Sequence, residues 1–254
     1  MALAALLAGP ASAESPWSFE LAGQQEWQRW RETGSDGRRL VSEDGRLSGV
    51  AAGLGWTPPE GDVSLALRAG LLYGERDYDG LSSRGAAVQS RSDIRNAFIG
   101  LETALAARPL LASWQWRPRA AVELWQWRRR LNDVGTVSGY PERYRQGLLL
   151  LGVQVQGDSG WRARLDAGGG PGGRNRLQLP GRDVASLPLG TARVWRLGFG
   201  AELAPAWRWD VMHENLTLGA GDERAITLQG VPLQAARQPR TTQRRLQLQL
   251  SWRR

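Results

Sequence analysis

The feature that most constrains this chain is an alternation of apolar and polar residues at period two, running almost from end to end. The last segment is the cleanest, with Leu246, Leu248, Leu250 and Trp252 on one side and Arg245, Gln247, Gln249 and Ser251 on the other. Another sets Trp195, Leu197, Phe199, Ala201 and Leu203 against Arg196, Gly198, Gly200 and Glu202. A third sets Val63, Leu65, Leu67, Ala69, Leu71 and Tyr73 against Ser64, Ala66, Arg68 and Gly70. Successive side chains of an extended strand point to opposite faces, so each segment reads as a strand with one apolar face. Helical spacing is hard to find, and no stretch approaches the ~20 apolar residues of a membrane helix.

Continued along the chain, the pattern predicts ten strands, over 17–30, 46–57, 62–78, 92–107, 113–130, 143–157, 160–170, 191–204, 206–219 and 241–252. The connections alternate between short (57–62, 107–113, 156–160, 204–206) and long (31–45, 79–91, 131–142, 171–190, 219–240). An even strand count with short turns at one end and long loops at the other is the layout of an outer-membrane barrel. Such closure also pairs every backbone polar group within the bilayer. A soluble sandwich or small barrel would alternate in the same way around an apolar core.

Tryptophan separates the two readings. The chain has 13 Trp against 4 Tyr and 3 Phe, and they gather at strand ends. Trp17, Trp56, Trp114, Trp116, Trp161, Trp207 and Trp252 lie near the short turns or the termini, and Trp27, Trp30, Trp125, Trp127 and Trp195 near the long loops. Two aromatic girdles suit the two faces of a membrane. The expected fold class is therefore all-β: a ten-stranded antiparallel transmembrane β-barrel with short periplasmic turns and long extracellular loops, in the outer membrane of a Gram-negative bacterium. Residues 1–13 read as a truncated signal peptide ending in Ala11-Ser12-Ala13, leaving 14–254 as one barrel domain. In the fifth strand Val122 and Leu124 face outward while Trp125 and Trp127 have the opposite parity, so a β-bulge near Leu124 is expected.

Composition removes whole classes of chemistry. The chain lacks cysteine and has one histidine, which excludes disulfide frameworks, thiol catalysis and multi-histidine metal centres, so no cofactor or metal is expected. All 33 basic residues are arginine against 25 acidic ones, for a net charge of +8. No nucleic-acid-binding motif accompanies that charge, so nucleic acid is not an expected partner. Strand parity sends Glu20, Glu26, Arg68, Glu102, Glu123, Arg162, Arg164, Asp166, Arg196, Glu202, Arg208, Asp210 and Arg245 to the interior, beside a small inner face of Gly49, Ala51, Gly53 and Gly55. A ten-stranded lumen is narrow enough for such charges to pair and fill it; unpaired, they would line an ion path. Arg128, Arg129, Arg130, Arg143, Arg174 and Arg176 fall on or beside the outer loops, as a basic rim for lipid A phosphates or other polyanions.

Ten strands with five outer loops resemble the omptins, outer-membrane aspartate proteases that pair an Asp-x-Asp motif after the third strand with an Asp-x-His motif in the fourth loop. Asp77-Tyr78-Asp79 stands at the first position, so the resemblance implies Asp77 and Asp79 as candidate catalytic residues. The fourth loop has Asp183 but no histidine, and His213 lies in the ninth strand on the outward parity. Serine esterases of this membrane are similar to one another in a His-x-Ser motif, but His213-Glu214-Asn215 has no serine. Trp252 resembles the C-terminal aromatic signal read by the barrel assembly machinery, although two arginines follow it. The leading expectation is a non-enzymatic, largely plugged barrel whose basic loops meet lipopolysaccharide, polyanions or an envelope protein. A narrow ion or small-solute pore is the second reading, and an omptin-like protease with a degenerate site the third.

Overall fold

The computed structural model describes residues 15–59, 61–81, 85–111 and 113–254. The leader expected over 1–13 lies outside them. In chain order the strands are β1 (Trp17–Thr33), β2 (Arg39–Trp56), β3 (Val63–Leu81), β4 (Ala87–Leu105), β5 (Arg108–Leu111), β6 (Trp114–Leu131), β7 (Pro141–Gly157), β8 (Trp161–Gly170), β9 (Arg174–Leu177), β10 (Ala185–Pro188), β11 (Ala192–Ala204), β12 (Trp207–Leu218), β13 (Arg224–Leu228), β14 (Val231–Ala236) and β15 (Arg240–Arg253). The ten long strands β1, β2, β3, β4, β6, β7, β8, β11, β12 and β15 each pair antiparallel with the next, and β15 pairs back with β1. The sheet is closed, and these are the ten strands read from the alternation.

Which face is outward is settled by exposure. Leu67, Leu71, Leu101, Leu124, Leu151, Leu165, Leu197 and Leu248 lie between 43% and 64% exposed on the outside of the wall. Meanwhile Glu26, Glu43, Asp166, Glu214 and Gln243 are fully buried within it. A water-soluble protein rarely leaves so much contiguous apolar surface uncovered. This is a barrel with lipid outside and polar side chains inside, and the start of β1 and the end of β15 lie at the end with the short turns.

The structure differs from the sequence reading in three places. The first two outer loops are mostly strand: β1 and β2 join across 34–38, and β3 and β4 across 82–86, so both hairpins run past the apolar belt. The expected bulge near Leu124 is absent, since β6 keeps an unbroken register with β4 from Leu131 to Arg119. Trp125 and Trp127 simply point inward, as does Trp30, so these three leave the outer girdle, where Trp27 and Trp195 remain on the lipid side. Finally, the two longest loops carry structure of their own, β9 with β10 and β13 with β14.

Candidate functional site in and around the barrel lumen

The lumen is built from strand parity. Even positions of β1, β3, β4, β7, β8, β11 and β12, and odd positions of β2, β6 and β15, turn inward. In its outer half Arg129 is the hub: its guanidinium reaches Glu142 at 2.5 Å, Glu43 at 3.2 Å and Glu32 at 3.3 Å. Glu43 also takes Arg76 at 3.3 Å and the Ser92 hydroxyl at 2.8 Å, and the Tyr144 hydroxyl donates to Glu142 at 3.0 Å. Below this, Arg196 binds both Glu123 oxygens and one of Glu214 at 2.6 Å, and Arg245 binds Glu214 at 2.5 Å. Aromatic rings fill the space between. Trp30 meets Tyr144 edge-on at 5.3 Å, Trp125 stacks on Phe98 at 4.8 Å, and Arg245 sits 4.2 Å above the Trp125 ring. The Trp30 and Trp125 indoles donate to Glu32 and Glu123, which explains how such large rings tolerate a charged interior.

The half toward the short turns is different. There a cavity of about 220 Å³ remains, lined by seven arginines (68, 117, 119, 162, 164, 208 and 253) and four carboxylates (20, 102, 202 and 210). Arg208 pairs with Glu20 and with Asp210, and Arg162 pairs with Asp210. Arg68 approaches Glu20 at 3.7 Å, and Arg119 pairs with Glu102 and reaches Asp166 at 3.4 Å. Arg164 also pairs with Asp166, behind the cavity wall.

All thirteen interior charges read from the sequence sit on the inner face, although Glu202 lies at the exposed mouth. Glu32, Glu43, Arg76, Arg117, Arg119, Glu142, Glu214 and Arg253 also face inward and are not among the interior charges read from the sequence. Four of them, Glu32, Glu43, Arg76 and Glu142, lie on strand portions taken for loops or at their margins. Arg129 requires a correction: it belongs to the interior, 5% exposed, while its neighbours Arg128 and Arg130 point outward.

On the outside, just above the apolar belt, register assembles what sequence spacing does not. Arg95 lies directly opposite Arg128, Arg128 opposite Arg143, and Arg143 opposite Arg176, one row across β4, β6, β7 and β9. Arg145 and Arg174 form the next rung toward the membrane, above Ile99 and Leu124. A cleft of about 510 Å³ runs along the row. No ion pair joins Arg95, Arg128, Arg130, Arg143 or Arg176 to a carboxylate among the described residues.

Asp77 and Asp79 have odd positions on β3 and so point out of the barrel, where Asp77 faces Arg91 at 3.7 Å and Asp79 faces Arg39 at 3.1 Å. The cleft beside them is lined by arginines, Asp44 and Asp133, with no histidine. Asp183 does not join them. It holds the β13–β14 hairpin by accepting from the Thr227 hydroxyl at 2.6 Å and from the Gly230 and Gln229 amides at 3.0 and 3.2 Å. Those bonds, led by Thr227, hold its carboxyl below the ordinary aspartate range. His213 faces outward and packs against Trp195, ring centroids 5.0 Å apart.

No family model matches the sequence, and no curated protein matches it. Among solved structures, the outer-membrane protease OmpT from Escherichia coli superposes with a TM-score of 0.55 at 8% identity, covering 96% of this chain and 98% of its own. An outer-membrane channel from Pseudomonas putida F1 gives 0.44 at 11% identity over 96% and 97% of the two chains. The translocator domain of the autotransporter NalP from Neisseria meningitidis gives 0.40 at 9%, over 99% and 92%. The likeness is one of fold: the chain has the fold of Gram-negative outer-membrane β-barrels.

Two outcomes follow from this geometry. Arg129→Leu strands buried Glu32 and Glu142 and leaves Glu43 to Arg76 alone, and should cost about 3–5 kcal/mol of stability, whereas the adjacent, outward Arg128→Leu should change it by less than ~1 kcal/mol; the denaturant midpoint of the refolded barrel checks both. Because the folded-state value of Asp183 is depressed, its contribution is complete above the ordinary aspartate range and is lost as pH falls through the depressed value. The protection of the Gln229 and Gly230 amides against hydrogen exchange, relative to their intrinsic rates, should therefore fall in strong acid, and Asp183→Asn should reproduce that loss at neutral pH.

Proposed function

We propose that the protein is a non-enzymatic outer-membrane barrel, sealed in its outer half, that holds lipopolysaccharide phosphates on its outward arginine row. The observation that carries this reading is the alignment of Arg95, Arg128, Arg143 and Arg176 on four adjacent strands with no carboxylate in ion-pair distance among the described residues. Like charges directly opposite one another across a sheet repel and weaken it. Such a row is stable when anions bridge it, and charge-assisted bonds from arginine to phosphate suit that task. Its height also fits, since the rung below it meets the top of the apolar belt, where the phosphates of an outer leaflet lie.

A narrow pore is the second reading, favoured by the polar cavity at the short-turn end. The barrel assembly machinery is the proposed inserting partner, reading the Trp252 end, and the outer hairpins are the proposed surface for an envelope protein.

Binding of the refolded chain to lipopolysaccharide micelles tests the leading reading. Each arginine near an anionic leaflet contributes about 1 kcal/mol, so neutralising all four to glutamine should weaken binding on the order of 10²- to 10³-fold and flatten its salt dependence. Dephosphorylated lipid A should bind wild type and variant alike. Unchanged binding by the variant would remove the arginine row from the function.

A further inference from the structure

We infer that the periplasmic half of the lumen is a separate binding site for a small, doubly charged oxyanion, phosphate or a small phosphomonoester, that enters from the short-turn end. The cavity is unbalanced in charge. Seven arginines and four carboxylates line it, and Asp166 behind the wall adds a fifth acid, leaving an excess of two positive charges among the described residues. That excess is localised. Arg68, Arg119, Arg162, Arg164 and Arg208 each have a carboxylate partner, whereas Arg117 on β6 and Arg253 on β15 have none within ion-pair distance.

Both unpaired arginines are on inward positions, and both line the same cavity. The acids near them are committed elsewhere: Glu102 to Arg119, and Glu20 to Arg208 and Arg68. Glu202, at the exposed mouth, is the only lining acid without an ion pair among the described residues, and it supplies one charge against two. Two guanidinium forks facing a cavity of about 220 Å³ match the charge and hydrogen-bonding capacity of one tetrahedral dianion, with room for a small substituent. A chloride supplies one charge against two and none of the directional acceptors that the guanidinium forks match. This site lies inside the barrel and at the opposite end from the outward arginine row, so it is independent of that row.

The test follows thermal unfolding of the refolded full chain in detergent by tryptophan fluorescence. Sodium phosphate is titrated where it is doubly charged, at ionic strength held constant with sodium chloride. A ligand that binds only the folded barrel raises the unfolding temperature saturably. The expected result is such a rise, with its midpoint concentration shifted about tenfold upward by Arg117→Gln, the weight of one charge-assisted hydrogen bond. Arg253→Gln, at the exposed mouth where folding is least at risk, should shift it likewise, and Arg193→Gln, an exposed arginine on the outer side of β11 away from the row, should leave it unchanged. Phosphate indistinguishable from chloride would overturn the inference. So would a phosphate effect that Arg128→Gln on the outer row abolishes and the two lumenal variants leave intact.

Discussion

Everything in this barrel depends on arginine paired with carboxylate across a narrow lumen. Lipid outside takes the apolar residues, so charge must go inward, where an unpaired ion carries a large desolvation cost. The pairs are therefore struts as well as neutralisers. Arg196 on β11 crosses to Glu123 on β6, Arg129 on β6 crosses to Glu32 on β1 and Glu43 on β2, and Arg208 on β12 reaches Glu20 on β1. A one-residue slip of any of these strands would turn its charged set into lipid, so strand register and lumenal pairing enforce each other. The absence of lysine fits that role. A planar guanidinium serves two or three acids at once, as Arg196 and Arg129 do, where an ammonium on a flexible stem would not hold the same geometry.

The charge is divided into three zones with different balance. In the outer half the acids outnumber the arginines that hold them, with three carboxylates around Arg129 alone. Toward the short turns arginine is in excess, and on the outward face above the belt it stands in a row that no ion pair joins to an acid among the described residues. The proposed seal, the proposed phosphate row and the proposed anion vestibule each rest on a different zone. A defect in one leaves the others to be judged separately.

Strand number, strand faces and thirteen of the interior charges were legible in the sequence because period two is a local signal and the belt imposes it on every crossing. Three things were not. Trp30 and Trp125 follow the inward parity, but a tryptophan near a strand end looks like a girdle residue unless its indole is known to have Glu32 or Glu123 to donate to. Glu32, Glu43 and Arg76 lie where strands continue beyond the bilayer, and there the lipid no longer enforces an apolar outer face, so the alternation fades before the strand ends. The arginine row is a product of register: Arg95, Arg128, Arg143 and Arg176 are far apart in sequence and meet only once three strand pairings are fixed. The same distance defeats any attempt to pair Asp183 with Asp77 and Asp79 by loop order alone, since Asp183 is taken by the turn at Gln229 and Gly230.

The proposed seal requires that lumenal pairing close the barrel to ions. Conductance of the refolded full chain in a planar bilayer, with insertion established independently, tests it most directly. A sealed lumen gives a silent membrane across a wide range of voltage. Reproducible, ion-selective current steps would contradict the seal and make the lumen a pore.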